Sequence, residues 1–305
     1  MRPEIDKALR FIAARLDQEL TVADVASAAG LSEFHFHRVF HADVGESVGR
    51  FVTRRRLELA ALRLAYEPER SVTEIALSSG YSSSSNFGKA FQGYFGCSPT
   101  EVRRPSGGSA RIGKLTALYG KDFRADALYA LPALEDAGEV EARASYWSSR
   151  VRFEDAPAQP LACLARVGPY DPTAIEETWR ELIGRVQQLG IAAGAIDAWG
   201  IAHDSPHVTA PERCRYHACV PCRADAPLSP PLFRGERPGG RWAIFSYDGP
   251  TDELGDAYRA IYSCWFRRGS VAPADYVPLD HYIADFPVAG RVALEMWFRV
   301  QAKGS

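Results

Sequence analysis

The sequence predicts a multi-domain protein: an all-α N-terminal double helix-turn-helix domain, then an α+β C-terminal domain of two pseudo-symmetric β-α-β-β repeats. Two observations lead to this prediction. Residues 20–104 contain one short pattern twice, 50 positions apart, and the chain from residue 150 onward repeats a strand, a glycine-proline turn and a helix. Internal repeats of this kind indicate duplicated supersecondary units. We expect domains at 1–104 and 150–305, joined by a linker at 105–149.

Length and composition fit two globular domains. The chain has 305 residues, of which 46% are hydrophobic and 24% charged, and its net charge is -2. No apolar run approaches the roughly 18 residues that a membrane helix needs, and the first residues do not form an apolar signal segment. We therefore expect a cytoplasmic protein without a membrane partner, whose six cysteines are reduced thiols.

Each copy of the N-terminal pattern predicts a short helix, a glycine turn and a second helix. The first helix of each copy begins at a hydroxyl N-cap, Thr21 or Ser71, and Ser71 with Glu74 has the spacing of a capping box. Gly30 and Gly80 can adopt the positive φ that ends a helix. The serines expected to cap the second helices are Ser32 and Ser82. This is the helix-turn-helix, whose second helix enters the major groove of DNA.

Two further helices are expected to support these units. An apolar stripe in residues 4–18 predicts an amphipathic helix that packs on the first helix-turn-helix. Residues 46–66 predict a long linking helix. The linking helix should hold the two recognition helices about one DNA turn apart, roughly 34 Å, so that a monomer reads two successive major grooves.

Residues 5–104 resemble the DNA-binding domain of AraC-type transcription regulators. The resemblance rests on the two helix-turn-helices, the linking helix and the closing run Phe91-x-x-Tyr94-Phe95-Gly96-x-Ser98-Pro99-x-x-x-Arg103. A lone helix-turn-helix is weak evidence, but two copies at this separation with this ending are specific. The resemblance implies that the protein binds double-stranded DNA, with RNA polymerase as a further candidate partner.

The resemblance also assigns side chains to the DNA. The groove-facing positions that it implies are Phe34, His37 and Arg38 in the first recognition helix and Ser84, Ser85, Asn86, Gly88 and Lys89 in the second. Arg38 would pair with guanine, Phe34 would touch a thymine methyl group, and Asn86 would read adenine. The small side chains of the second helix should position the protein more than they discriminate bases.

The linking helix carries a cluster of arginines that we expect to contact phosphates. These are Arg50, Arg54, Arg55, Arg56 and Arg63, among which Arg54 is taken as a site residue. Simpler alternatives stay open for several of these residues. The arginines can belong to a solvated helix face, His37 can be a surface histidine, and Phe34 can be a packing residue. Residues 82–85 can be a capping cluster.

The C-terminal repeat is predicted from apolar runs that are followed by glycine and proline. The runs 161–167 and 242–247 precede helices at 173–189 and 253–266, and further strands fit 216–221, 281–285 and 292–300. Alternation along the last strand puts Ala293, Glu295 and Trp297 on one face, and Leu294 and Met296 on the other. A carboxylate on an apolar strand is costly to bury unless it is paired.

Residues 150–301 resemble the GyrI-like effector-binding domain. The motifs that carry the resemblance are Gly168-Pro169-Tyr170, Trp179, Gly200-Ile201-x-x-Asp204-x-Pro206, Gly240-x-Trp242-Ala243, Gly249-Pro250 and Leu294-Glu295-Met296-Trp297. The resemblance implies a groove between the two halves, in which Glu295 pairs with a small apolar or cationic effector and Trp297 contacts it through its ring. Further expected wall residues are Tyr170, Trp199, Phe245 and Tyr282. Each aromatic can instead be ordinary core, and Glu295 can pair with Arg291 or Arg299.

Three alternatives concern chemistry. Some GyrI-like domains resemble hydrolases of strained-ring DNA-alkylating compounds, in which Glu295 would be the acid or base; the DNA-binding half favours a sensor over an enzyme. The domain could also sequester a drug or bind a protein partner.

The sequence also contains a possible metal motif. Cys214, His217, Cys219 and Cys222 include a C-x-x-C, but Cys219 and Cys222 would point to opposite faces of a strand, so we expect no metal. No cofactor is expected.

Overall fold

A computed structural model describes residues 1–103, 137–191, 196–283 and 290–303. The chain divides into two compact units, a first unit at Met1–Ala130 and a second unit at Leu131–Ser305. Most of the predicted linker lies outside the described residues, and the part at 137–148 is helical. No helix in the described ranges is long and apolar enough to span a membrane.

The described part of the first unit contains helices and no strands, which confirms the predicted all-α class. Its helices are α1 (Pro3–Ala13), α2 (Val22–Ala29), α3 (Glu33–Val44), α4 (Val48–Tyr66), α5 (Val72–Ser78), α6 (Ser84–Phe95) and α7 (Pro99–Arg103). The pairs α2–α3 and α5–α6 are the two helix-turn-helices, and α4 is the linking helix. The first core is formed by the stripe of α1 with aromatic rings from α3 and α4, among them Phe36, Phe40 and Phe51.

Helix caps explain where the short helices begin. The side chains of Thr21 and Ser71 each accept a hydrogen bond from the amide three residues later. The carboxylates of Asp24 and Glu74 in turn accept a hydrogen bond from the Thr21 and Ser71 amides, so both helices start in capping boxes. Ser32 caps α3 as predicted, through a 3.4 Å hydrogen bond from the His35 amide. The prediction for Ser82 is corrected, because the N-cap of α6 is the next residue, Ser83, whose hydroxyl accepts a hydrogen bond from the Asn86 amide.

Gly80 is required by two features of the second turn. Its φ is +79°, in the left-handed region that side chains with a Cβ rarely adopt. A Cβ built there would lie 2.6 Å from the Leu16 carbonyl oxygen and 2.8 Å from Arg56 Cζ. Arg56 in turn donates from Nε to the Leu16 carbonyl oxygen at 2.8 Å. The turn between α5 and α6 therefore packs closely on the segment that follows α1.

The second unit is α+β, as predicted. Its strands are β1 (Val151–Ala156), β2 (Gln159–Val167), β3 (Ala198–Ala202), β4 (Arg215–Pro221), β5 (Phe233–Arg237), β6 (Gly240–Pro250), β7 (Val271–Pro273), β8 (Leu279–Tyr282) and β9 (Arg291–Ala302). Its helices are α8 (Ala137–Ser148), α9 (Pro172–Gln188) and α10 (Leu254–Ala260), and α10 continues through a π-helical turn (Ile261–Trp265) into Phe266–Arg268. The described strands form an antiparallel sheet in the order β1-β6-β9-β8-β3-β4-β2-β5, and β7 pairs with β9.

The pairing order runs similarly from both ends of the sheet. In one half β4 lies between β2 and β3, and in the other β9 lies between β6 and β8. The two halves meet where β3 pairs with β8, and α9 follows β2 as α10 follows β6. This order is compatible with the predicted β-α-β-β repeat, and the pseudo-symmetry itself stays a prediction.

The two faces of the sheet differ. One face packs against α9 through a cluster around Trp179, and against the π-helical turn through Phe245. We call it the helix face. The register of the antiparallel pairs puts Glu295 opposite both His281 and Ser246, and Trp297 opposite Ile244, so these residues share the other face. Its aromatic members are Trp199, Trp242 and Trp297, and we call it the tryptophan face.

Candidate DNA interface and effector site

The first recognition helix presents the predicted side chains to solvent. Phe34 is 85% exposed, which is unusual for a phenyl ring, and His37 and Arg38 are also exposed. Phe36 and Phe40 on the other side of α3 are fully buried. Arg38 Nη2 lies 3.3 Å from His35 Nδ1, so this guanidinium meets another exposed side chain of α3. The exposed side of α3 thus combines an apolar ring with hydrogen-bonding groups.

The second recognition helix presents a smaller, polar surface. Ser84, Ser85, Asn86 and Lys89 are exposed, and Gly88 is half-buried. Asn86 donates from Nδ2 to Ser82 Oγ at 3.2 Å. The side of α6 that faces inward carries three fully buried rings, Phe87, Phe91 and Phe95. All the predicted DNA-facing residues of α6 except Gly88 are therefore exposed to solvent.

The prediction that Arg54 contacts phosphate is corrected by its burial. The Arg54 side chain is 4% exposed, and its guanidinium lies 2.6 Å from Glu46 Oε1 and 3.0 Å from Glu58 Oε1. Glu58 also accepts hydrogen bonds from Arg55 Nη1 at 3.0 Å and from Tyr94 Oη at 3.3 Å. Because Tyr94 belongs to α6, this buried network joins the linking helix to the second recognition helix.

Other arginines of the linking helix also have partners within the first unit. Arg56 donates to the carbonyl oxygens of Leu16 and Gln18, and Arg63 donates to the carbonyl oxygen of Ser78. Arg50 is exposed. Arg56 and Arg63 thus connect the linking helix to neighbouring segments of the first unit.

Glu295 is held by four donors on the tryptophan face. Arg152 forms a bidentate pair with its carboxylate at 2.6 and 2.9 Å, and Trp297 Nε1 donates to Oε2 at 3.1 Å. His281 Nδ1 lies 3.3 Å from Oε2. Burial raises the pKa of Glu295, but these hydrogen bonds outweigh it and hold the pKa below its usual value. Glu295 therefore pairs with an arginine, as the alternative prediction had it, but that arginine is Arg152 and not Arg291 or Arg299.

Two of the predicted aromatic residues accompany Glu295. Trp199 and Trp297 meet edge to face with ring centroids 5.0 Å apart, and Trp199 stacks on His281 at 4.3 Å. Asp197 accepts hydrogen bonds from Trp199 Nε1 at 2.8 Å and lies 2.9 Å from His281 Nε2. The face therefore combines flat apolar surfaces with a connected polar network.

The other three predicted wall residues lie on the helix face, and these predictions are corrected. Phe245 is fully buried against Trp265, with centroids 4.8 Å apart. Tyr282 packs on Trp179, and Tyr170 donates from Oη to the carbonyl oxygens of Asp204 and Arg215. Strand register assigns Phe245 and Tyr282 to the side that α9 and α10 cover, and Tyr170, in the loop after β2, packs on the same cluster as Tyr282.

Sequence reasoning missed four residues near Glu295, which are Arg152, Asp197, Trp242 and His281. Strand alternation points His281 and Tyr282 to opposite faces of the sheet, so His281 could have been placed beside Glu295 once β8 was predicted. Arg152 belongs to β1, an edge strand that was not predicted. Arg152 is 143 positions from Glu295 in the sequence, so no local pattern links the two residues.

The cysteine cluster is dispersed. Cys214 Sγ contacts the Thr209 carbonyl oxygen at 3.8 Å, Cys219 Sγ lies 3.1 Å from Cys163 Sγ, and Cys222 Sγ lies 3.5 Å from Arg234 Nη1. Within the described ranges, no group of three or more His, Cys, Asp or Glu side chains is arranged to hold a metal ion.

Comparisons with known protein families agree with this architecture. Residues 149–301 match the GyrI-like small molecule binding domain, and residues 12–105 match a helix-turn-helix domain. Regulatory protein SoxS of Salmonella typhimurium is 31% identical over 99 residues, which are 32% of this chain and 92% of SoxS. The chain belongs to the AraC-type family and carries a GyrI-like domain.

Other relatives match a similar length of the chain. The HTH-type transcriptional activator AarP of Providencia stuartii is 34% identical over 99 residues, which are 32% of this chain and 73% of AarP. Two uncharacterized HTH-type regulators, from Haemophilus influenzae and Bacillus subtilis, are matched over 33% of their own length. The C-terminal domain of AraT, a response regulator from Geobacillus stearothermophilus, is similar at 31% identity and a TM-score of 0.32, over 34% of this chain and 85% of that domain.

Proposed function

We propose that this AraC-type protein is a sequence-specific transcription regulator whose two recognition helices read successive major grooves of double-stranded DNA. The observation that supports this most strongly is the exposed side of α3. An 85% exposed phenyl ring beside a guanidinium suits a thymine methyl group beside a guanine. The exposed polar side of α6 would add a second contact, and regulation would take place in the cytoplasm, where RNA polymerase is a candidate partner.

The residues that we propose for the DNA interface follow from exposure. From α3 they are Phe34, His37 and Arg38, and from α6 they are Ser84, Ser85, Asn86, Gly88 and Lys89. Arg54 is left out because its charge is neutralised inside the first unit. The charge available to phosphates is then modest, so base contacts must supply a large share of the affinity.

We further propose that a small apolar effector binds at the tryptophan face and regulates DNA binding. Trp199 and Trp297 would provide its stacking surfaces. A cationic effector would have to displace Arg152 before it could pair with Glu295, because both carboxylate oxygens already accept hydrogen bonds. For the effector to act as a switch, it must bind one regulatory state more tightly than the other.

The arrangement around Glu295 favours this binding role over hydrolysis. A general base needs a free lone pair within hydrogen-bond reach of water and a pKa near the working pH. Glu295 has four donors around it and a pKa held below its usual value, so it is a weak base here. We therefore propose a sensor and not an enzyme.

Selection of duplexes from a random pool tests the DNA-binding proposal. The full-length protein should enrich a site with two short conserved blocks about one helical turn apart. Enrichment should fall as salt is raised, because phosphate contacts release counterions. If no sequence is enriched at any salt concentration, the two helix-turn-helices are not sequence readers and the proposal fails.

A further inference from the structure

The tryptophan face contains a buried cation that lacks a carboxylate partner. Arg237, the last residue of β5, is 7% exposed. Across the described residues it forms no salt bridge, unlike Arg152 on the same face, which pairs with Glu295 at 2.6 Å. Arginines are almost never fully buried unless they are paired, since removing a charge from water is costly. The position of Arg237 therefore calls for an explanation.

The contacts of Arg237 are weak and neutral. Nε donates to Gln159 Oε1 at 3.3 Å and Nη2 donates to the Pro157 carbonyl oxygen at 3.4 Å. Nη1 is buried and has no hydrogen-bond acceptor among the described residues. Burial lowers the pKa of Arg237, while Glu154 and Asp197 act on it only at longer range. Its charge is left largely uncompensated.

Arg237 points into the aromatic surface of the proposed effector site. Its Cζ lies 5.1 Å from the ring centroid of Trp199 and 5.2 Å from that of Trp297. A second buried donor lies on the same face: Trp242 is 0% exposed, its Nε1 has no acceptor in the described part of the chain, and its ring centroid is 5.8 Å from that of Trp297. The Arg237 guanidinium and the Trp242 ring thus both lie near Trp297, and each has a buried donor without an acceptor.

The carboxylates nearby do not supply the missing acceptor. Glu295 is neutralised by Arg152, and Asp197 is engaged by Trp199 and His281. Glu154 lies 4.0 Å from Arg152 at the edge of the sheet. A cation brought to this face would meet Arg237 and Arg152 and would leave the two donors unpaired. An anion would pair with Arg237 and accept from both donors.

We propose that the tryptophan face binds an aromatic monoanion, such as an aryl carboxylate, with Arg237 and Trp242 Nε1 as its donors and Trp199 and Trp297 as its stacking surfaces. This inference rests on the proposed effector function and specifies its ligand class. A carboxylate matches the planar fork of a guanidinium, and a flat ring matches the indoles. A single negative charge balances the single unpaired positive charge.

Three probes of one shape and different charge test this inference on the full-length protein. They are 2-naphthoate, neutral 2-naphthylmethanol and cationic 2-naphthylmethylammonium, with dissociation constants measured by calorimetry. Wild-type protein should bind the carboxylate about tenfold more tightly than the alcohol, as expected for a charge-assisted hydrogen bond, and the ammonium most weakly. This comparison needs no variant, so it holds even if a substitution at Arg237 prevents folding.

Two substitutions identify the donor. Arg237→Met keeps the length and apolar stem of the side chain, and it should remove most of the roughly tenfold preference for carboxylate over alcohol while keeping the alcohol affinity. The matched control is Arg241→Met, an exposed arginine on β6 whose guanidinium lies over Phe153 on the helix face; it should leave all three affinities unchanged. Trp242→Phe should weaken the carboxylate alone.

The possible results separate the inference from the proposed function. Binding of all three probes without charge preference, or tightest binding of the ammonium, would overturn the anion assignment and leave a small-molecule site in place. A carboxylate preference that survives Arg237→Met would overturn the role of Arg237. Failure of all three probes to bind would count against the effector site and the inference together, whereas DNA selection would still test the first unit.

Discussion

At the scale of single residues, burial decides which charged side chains are free to act. Arg38 and Arg54 are both arginines of the first unit that the sequence assigned to DNA. Arg38 lies on the exposed side of α3, whereas Arg54 is enclosed by Glu46 and Glu58. The sequence shows that Arg54 lies on a helix, but it does not show that the guanidinium meets Glu46, from the segment before α4, and Glu58, one turn further along α4. Those contacts depend on tertiary packing.

Substitution of these two arginines should give opposite results. Arg38→Ala should weaken binding to the selected duplex by about 1–3 kcal/mol with unchanged stability. Arg54→Ala should lower the free energy of unfolding by about 3–5 kcal/mol, since it removes the cation that lies between the buried carboxylates of Glu46 and Glu58, and should not alter the salt dependence of DNA binding. Urea unfolding and DNA titration measure both, with exposed Arg180→Ala in the second unit as control. A reduced salt slope for Arg54→Ala would restore it as a phosphate contact.

Asp280 should make the stability of the second unit depend on pH. It is buried on the helix face, and Tyr258 donates a hydrogen bond to it; burial raises its pKa to about 7. The folded state therefore holds the proton more tightly than the unfolded chain does. The resulting stabilisation is fully present below the unfolded pKa of 3.8 and is lost as the pH rises through about 7.

The Asp280→Asn variant isolates this effect. Between about pH 5 and about pH 8 the wild-type protein should lose stability that the variant does not lose. All six tryptophans belong to the second unit, so their fluorescence during urea unfolding reports on this unit alone. Equal changes in the two proteins would show that Asp280 does not titrate in this range.

At the scale of secondary-structure elements, caps and periodicity were readable from the sequence, whereas strand register was not. The helix-turn-helix boundaries follow from local residues such as Thr21 and Ser71, so they were predicted to within a few positions. The face that Glu295 and Trp297 share was predicted from alternation along one strand. Phe245 and Tyr282 were misassigned because a wall residue must match in register across several strands, and β1, β3 and β5 were not predicted; Tyr170 lies in a loop, where strand alternation gives no guide.

The two turn glycines provide a matched test of the close approach at α5–α6. Gly30 and Gly80 have φ values of +73° and +79°, but a Cβ has open space at Gly30 and collides with the Leu16 carbonyl oxygen at Gly80. Gly30→Ala should cost about 1–2 kcal/mol from left-handed strain alone. Gly80→Ala should cost clearly more, because a backbone oxygen must also move. Equal losses in thermal unfolding would show that the contact at Gly80 is easily relieved.

At the scale of the whole molecule, the chain combines two units whose chemistry is separate. The first unit offers exposed polar and apolar side chains on two recognition helices, and the second offers indole rings with buried donors. The double repeat and both family resemblances were visible in the sequence because they depend on local patterns. The charge of the proposed effector could not be predicted from the sequence, since Arg152 and Arg237 reach the Glu295 region from opposite edges of the sheet, β1 and β5.

The most direct test of the central claim is hydroxyl-radical footprinting of the full-length protein on the selected duplex. If α3 and α6 each occupy a major groove, two protected segments should lie about one helical turn apart on one face of the DNA. Arg38→Ala should weaken the protection in one segment first. A single protected segment, or protection that does not depend on sequence, would contradict the account of two recognition helices that read one site.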